Sequence, residues 1–389
     1  MRTEPPNGSA GIYIHVPFCQ AKCGYCGFAS IPWENTLAER YWRAVVLEIE
    51  RYAAAMAPAR QRVETIYLGG GTPSILPVEQ VAALLKACSD HFDVVPNCEI
   101  SMEANPGTLS SRKTRAYLEL GVNRISIGAQ SFSDSELTDI GRAHRADQIE
   151  RSFALLRSVG FQNLNLDLIL GLPGQSLSRW QSNLMNAVNL APRHLSIYML
   201  ELDPKTPLFH AVACGEKRLP DEDEIADWYL GTIDLLESRG YGQYEISNFA
   251  LPGFECRHNV KYWLREPVLA FGAAAHSFDG ISRYANPSDL SSYLTAVEKG
   301  RSPVLWRERA DEGRNLEETI ILGLRLNRGL DWDQLRKSFD TKRLAAHEAS
   351  FRQLEETGLV EWKDAEIRLT RRGMLLSNEV FQKFINSGA

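Results

Sequence analysis

GIYIHVPFCQAKCGYCGF, residues 11–28, joins an alternating apolar run to a loop that carries three cysteines within eight positions. Ile12, Ile14 and Val16 place an apolar side chain at every second residue, the period of a strand with one face covered. Pro17 and Gly24 then favour a loop that can fold around a compact object, with Cys19, Cys23 and Cys26 at the spacing CxxxCxxC. Three thiolates on a four-iron cube leave one iron without a cysteine, and an open coordination position lets an inorganic centre do chemistry beyond electron storage. A structural zinc ion would instead want a fourth ligand, with His15 and Cys256 as candidates, and zinc sites more often use paired CxxC spacing.

Outward from this loop the strand grammar repeats. ETIYLGG from Glu64, CEISMEA from Cys98, NRISIGA from Asn123, NLNLDLI from Asn163 and HLSIYML from His194 are further strand candidates. Between them lie amphipathic stretches, among them TLAERYWRAVVLEIERYAA from Thr36 and others starting near Val78, Ser110, Gln148 and Leu177. Strands alternating with helices predict an α/β fold with a parallel sheet, an incomplete or open barrel in preference to a flat doubly wound sheet. Ligands gather beyond the carboxyl ends of such strands, which is where the cysteine loop, Gly69 to Thr72, Glu103, Gln130 and Asp167 fall. Residues 1–10 read as an N-terminal arm, 11–240 as the core domain and 241–310 as a linking segment rich in glycine and aromatic residues. Residues 311–389 read as a smaller α+β C-terminal domain of helix, helix and polar-apolar ribbon, a winged-helix-like pattern.

The bulk numbers fit a soluble protein. Net charge is -6 and the charged fraction 24%, without blocks of one sign, which argues against a nucleic-acid footprint. No apolar run is long enough for a membrane span and residues 1–10 lack the apolar core of a signal peptide, so the expected compartment is the cytoplasm. Seven cysteines is an odd number, and the crowding of three suggests metal ligation over a disulfide framework. Cys88, Cys98, Cys214 and Cys256 are expected to be small buried apolar residues. Lys363, Arg368, Arg371 and Arg372, mixed with acidic neighbours, read as a solvated face, and the C-terminal domain as a lid or docking element.

YIHVPFCQAKCGYCGF resembles the signature of radical S-adenosylmethionine (SAM) enzymes and, more narrowly, the oxygen-independent coproporphyrinogen III oxidase group with its heme-chaperone relatives of the HemW type. The likeness continues through LGGGTPS, EANPGTL, GVNRISIGAQSF, GRAH, NLDLILGLPGQ, YEISNFA, GFECRHNVKYW and GAAAHSF. It implies a partial (β/α)6 TIM-like barrel, a HemN-like C-terminal domain and a [4Fe–4S] cluster on Cys19, Cys23 and Cys26. SAM would chelate the open iron and be cleaved reductively to methionine and a 5'-deoxyadenosyl radical. Tyr25, before the last ligand, offers an aromatic face on which adenine could stack, or else packs as an ordinary tyrosine. Gly70, Gly71 and Thr72 match the segment that contacts the methionine part, and Pro73 stiffens their turn. Glu103 is a carboxylate at the end of an apolar strand and needs a cation or hydroxyls; the family match implies the cofactor's amino group or ribose, the alternative being a salt bridge to Lys or Arg. Gln130, Arg142 and Asp167 match further SAM contacts, Arg142 through a fork suited to carboxylate, and Tyr13 matches a cofactor-side tyrosine.

The subfamily rests on a second motif. Decarboxylating members carry a further cysteine two positions after the last ligand, where this chain has Phe28, and a longer segment before the first cysteine. In HNVKYW, His258, Asn259, Tyr262 and Trp263 match the HNxxYW motif associated with heme in the chaperone branch. Imidazole is a common axial heme ligand, although a histidine among aromatic residues is as readily a hydrogen-bonded core residue; Cys256 is a thiolate alternative, and His276 is similar to a position near the cofactor. The resemblance implies a heme carrier that serves a recipient hemoprotein, with an electron donor for the cluster and with cluster and cofactor controlling transfer or dimerisation. The other reading is a catalytic radical enzyme, either a coproporphyrinogen III dehydrogenase or a methyltransferase or cyclopropanase.

Overall fold

The computed structural model describes residues 8–385, so the expected N-terminal arm lies largely outside the described residues. Strands β1 (Ala10–Val16), β2 (Arg62–Gly70), β3 (Asp93–Ala104), β4 (Arg124–Gln130), β5 (Asn163–Leu170) and β6 (His194–Met199) pair in parallel in chain order. Helices α1 (Asn35–Met56), α2 (Val78–His91), α3 (Ser111–Glu119), α4 (Ala146–Val159) and α5 (Leu177–Asn189) fill the crossovers. Their starts follow capping chemistry: the Ser110 hydroxyl accepts from Lys113 N and the Ser176 hydroxyl from Arg179 N.

Side-chain parity in the strands sorts two environments. Ile12, Ile14, Leu68, Met102, Ile125, Ile127, Leu166, Leu168 and Leu195 are buried in the apolar core that also holds the helices' inner faces. The opposite parity turns Thr65, Ser101, Arg124, Ser126, Asn165, His194 and Ser196 inward, and all are buried. The barrel interior is therefore polar, whereas parallel barrels usually fill it with branched aliphatic residues.

The stretch expected to link two domains instead widens the sheet at both edges. β7 (Gly242–Glu245) and β8 (Asn248–Ala250) add antiparallel strands beside β6. β9 (Val268–Phe271) pairs in parallel with β1, and β10 (His276–Phe278), β11 (Ser282–Ala285) and β12 (Trp306–Arg309) follow antiparallel. The 12-stranded order β12-β11-β10-β9-β1-β2-β3-β4-β5-β6-β8-β7 makes an open barrel. These added strands have three or four residues each, too few for a period to show in sequence.

Beyond them come helices Glu312–Gly323, Trp332–Ser338 and Thr341–Glu356 and a ribbon of Val360–Lys363 with Glu366–Leu369, the expected winged-helix-like order. Arg371 pairs with Asp234 and Glu237 of helix α6 (Glu222–Ser238), and Arg368 with Glu361, so these cations face carboxylates. Cys88, Cys98 and Cys256 are buried as expected, but Cys214 is exposed, because it caps the short helix Pro207–Ala213 on the surface. No described helix is long and apolar enough to cross a membrane.

Candidate functional site

The cysteine loop leaves β1 at its carboxyl end and is pinned by backbone hydrogen bonds. Phe18–Cys19 forms a short parallel ribbon with Ile31–Pro32, Gly24 N donates to Ile140 O, and Leu208 N donates to Gly24 O. All three thiols are half-buried and line one cavity of about 300 Å³, at the lower end of the range of ligand pockets. The glycines after β2 form the facing wall. Gly70 has φ 116°, a left-handed value, and a Cβ at Gly71 would stand 2.7 Å from Phe18 O and 3.0 Å from Cys19 Sγ. Only a residue without a side chain lets this backbone lie against the cysteine.

The thiols are tied to the strands by polar contacts. Thr72 Oγ1 donates to Cys19 Sγ at 3.5 Å and accepts from Asn105 Nδ2 at 2.9 Å. Arg142 donates from Nη1 to Cys23 Sγ at 3.6 Å, and from Nη2 to Asn105 Oδ1 and Gly128 O, both at 2.7 Å. Its Nε is buried without a partner. Gln130 ends β4 at φ 66°, a conformation a side-chain-bearing residue adopts at an energetic cost of order 1 kcal/mol. Tyr25 packs against Ile140, Ile169 and Leu172 while also lining the cavity, so the packing and ligand-facing roles coexist.

Two half-buried carboxyls form the floor. Glu103 accepts from the Tyr67 hydroxyl and from Gly70 N, each at 3.0 Å, with no Lys or Arg hydrogen bond among the described residues. Burial, with the nearby Asp167 carboxylate second, pushes its pKa up to about 7. Asp167 accepts from Asn165 Nδ2 at 2.7 Å and from Ser126 Oγ at 3.0 Å, and burial raises its pKa too. A cationic ligand would relieve both.

Cys19, Cys23, Cys26, Tyr25, Gly70, Gly71, Thr72, Glu103, Gln130, Arg142 and Asp167 thus share one cavity, although they come from well-separated stretches of sequence. Tyr13 stands behind it. Its ring stacks on Tyr67 at 6.2 Å and its hydroxyl meets His15 Nδ1 at 3.1 Å. Asn105, Ser126 and Tyr198 also line the cavity; EANP and the NRISIGA strand carried the first two, but their roles depend on partners distant in sequence. The zinc alternative loses its fourth ligand: both nitrogens of His15 are engaged, Nε2 by Ala29 O at 2.9 Å, and buried Cys256 donates to Glu99. A cluster fits the donor set, for three thiols open to one cavity beside a backbone stripped of side chains.

HNVKYW forms helix α7 (Arg257–Trp263) against the amino ends of β1 and β2. His258, expected to contact heme, is 1% exposed. Its Nδ1 bonds Thr65 Oγ1 at 2.9 Å, its Nε2 the Tyr262 hydroxyl at 3.2 Å, and its ring stacks on Tyr67 at 5.1 Å. Burial lowers its pKa to about 3, so it is neutral at physiological pH. This is the hydrogen-bonded core alternative, with no ring nitrogen left open. His276 is exposed, edge-on to Trp306 at 6.0 Å.

The chain matches the Radical SAM superfamily over residues 13–184 and the HemN C-terminal domain over residues 314–376. It is 34% identical over 380 residues to the heme chaperone HemW of Bacillus subtilis, covering 96% of this chain and 98% of that protein. It is 39% identical over 265 residues to the heme chaperone HemW of Escherichia coli, covering 68% and 69%. A 30% identity over 393 residues relates it to the bovine radical S-adenosyl methionine domain-containing protein 1, mitochondrial, over 98% and 88% of the two chains. Among solved structures, coproporphyrinogen III oxidase (HemN) from Escherichia coli, a radical SAM enzyme, superposes with a TM-score of 0.86 at 25% identity, covering 99% of this chain and 91% of that one.

Proposed function

Because the chain belongs to the radical SAM superfamily and, within it, to the HemW heme-chaperone family, we propose that it holds a [4Fe–4S] cluster, binds SAM beside it, and carries heme to a recipient hemoprotein. The observation that carries the first two parts is the single cavity shared by the thiols of Cys19, Cys23 and Cys26, the Gly70–Gly71 backbone and the carboxyls of Glu103 and Asp167. The cysteines would hold the cluster. When bound, that cluster supplies a reducing electron and a free iron position at which an amino acid moiety can chelate.

The protein's own contribution is placement. Gly71 lets the backbone reach the cysteine loop, and Thr72 and Arg142 each donate to a thiol sulfur, which fixes where the sulfurs of Cys19 and Cys23 stand. Burial raises the Cys26 thiol pKa, so deprotonation there depends on what the loop binds. Glu103 and Asp167 supply negative charge for an ammonium or sulfonium group, in a place where their own ionisation is otherwise costly. Tyr25 and Gln130 bound the remaining wall and suit a nucleoside.

Heme carriage rests on the kinship with proteins named as heme chaperones. We assign it to the chain and not to the His258 imidazole, whose nitrogens are both engaged. The protein would work in the cytoplasm with an electron donor for the cluster, as a monomer or a homodimer. Adding heme to the purified protein should give a Soret band; an unchanged spectrum would remove the carrier function.

Coproporphyrinogen III oxidation is the second reading, favoured by the superposition on HemN over 99% of the chain. Phe28, which stands where the decarboxylating enzymes have a cysteine, is 68% exposed at the cavity rim and argues against it. Anaerobic incubation with coproporphyrinogen III and a reductant decides between the two. The carrier reading expects no carbon dioxide from a chain with intact cluster.

A further inference from the structure

Each carboxyl on the cavity floor is held from behind by a chain of contacts, and both chains end on the same segment. In the first, Glu103 Oε1 accepts from the Tyr67 hydroxyl at 3.0 Å, and the Tyr67 ring lies on the His258 ring at 5.1 Å with 30° between planes. His258 is fixed in turn by Thr65, by Tyr262 and by its own backbone N–H, which donates to Glu99 Oε1 at 3.0 Å.

In the second, Asp167 Oδ1 accepts from Asn165 Nδ2 at 2.7 Å, Asn165 Oδ1 meets His194 Nδ1 at 2.6 Å, and His194 Nε2 meets the Tyr244 hydroxyl at 2.8 Å. The donors can be oriented in sequence. Cys256 N donates to the Tyr244 oxygen, so the phenolic proton goes to His194 Nε2. His194 then carries its proton on Nδ1 and donates to Asn165 Oδ1, which turns the Asn165 amide nitrogen toward Asp167. Burial holds His194 neutral, as this arrangement requires.

Two core histidines that only filled space would need no such termini. The barrel interior could be packed with aliphatic side chains, as parallel barrels usually are, yet here each polar chain runs to a carboxyl oxygen of the cavity. We propose that His258 and His194 are positioning residues for the cofactor cavity. His258 holds Tyr67 against Glu103, His194 holds Asn165 against Asp167, and the segment 244–262, which includes HNVKYW, is their common support. The HNVKYW histidine thus acts on the SAM site through Tyr67. This rests on the reading of that cavity as a SAM site.

The test uses the full chain, reconstituted anaerobically, with iron content, thermal stability and SAM affinity measured on each variant. His258→Phe keeps a flat ring for Tyr67, and His258→Leu fills the volume without one; both lose the bonds to Thr65 and Tyr262. Equal loss of stability is therefore expected in the two. SAM affinity should fall about tenfold in His258→Leu, the scale of one hydrogen bond to a charged group, and stay within about twofold of wild type in His258→Phe. Tyr244→Phe, which removes only the hydroxyl feeding His194, should weaken SAM about threefold at wild-type iron content.

Equal SAM affinities in the Phe and Leu variants, or failure of both to fold, would overturn the first chain. An unchanged affinity in Tyr244→Phe would overturn the second. A wild-type chain that takes up iron but no SAM would refute the reading of the cavity instead.

Discussion

The cysteine loop at the carboxyl ends of the strands and the HNVKYW helix near their amino ends are equally conspicuous in sequence, and the fold treats them in opposite ways. Cys19, Cys23 and Cys26 remain half-exposed on a shared cavity, and each of their sulfurs receives a donor while still facing it. His258 has a partner for each ring nitrogen, a stacked tyrosine and a bonded backbone N–H. The difference teaches that a motif's chemistry depends on which atoms the fold leaves unfinished. An open thiol beside carboxyls that face the same cavity can take a ligand, whereas a satisfied imidazole holds its neighbours.

That contrast is sharpest at Gly71. An added Cβ would meet Phe18 O at 2.7 Å and Cys19 Sγ at 3.0 Å, so Gly71→Ala should push the loop outward. SAM affinity is expected to fall roughly 10- to 100-fold, on the scale of overpacking a tight contact, as read by anaerobic equilibrium dialysis. Wild-type affinity would mean that the open end tolerates bulk.

Acidity tests the same end. Glu103 has a folded-state pKa raised to about 7 by burial, so it is protonated below that pH and loses the charge that attracts a cation. SAM affinity should decline as pH falls through about 7, by up to about tenfold per unit, and Glu103→Gln should flatten that limb. For stability the sign is reversed. A carboxyl whose pKa is raised on folding favours the folded state at low pH, and that contribution is lost as pH rises toward 7.

A smaller effect is expected at Thr72, which bridges Asn105 and Cys19. Thr72→Val keeps the shape and removes the hydroxyl, and should cost about fivefold in SAM affinity, near one neutral hydrogen bond. Smallest of all is the heme response at the closed end. His258→Ala should leave the position of the heme Soret band unchanged, because the wild-type imidazole offers no free nitrogen. A shifted band would show that helix α7 opens and would break the comparison.

How far the sequence could carry the structure follows the same division. Strands β1 to β6 and their helices were legible because Ile12, Ile14, Leu166 and Leu168 keep a strand's period and because the stretches starting near Ser110 and Leu177 are amphipathic at a helix's period. The cysteine loop was legible because its spacing is local. What escaped depends on distant partners. β7 to β12 are too short to show a period, and the same stretch read as a linker. Closure of His258 requires Thr65, almost two hundred positions away, and a positive φ at Gln130 leaves no mark in composition. The polar interior was written in the strands as the other parity, but nothing local to Asn165 or His194 announces that they meet.

The most direct measurement is iron and sulfide content after anaerobic reconstitution, taken for the wild-type chain and for Cys19→Ser, Cys23→Ser and Cys26→Ser. About four of each per wild-type chain are expected, with most of the iron lost in every single variant. A wild-type chain without iron, or a serine variant that keeps the full amount, would contradict a cluster held by these three thiols.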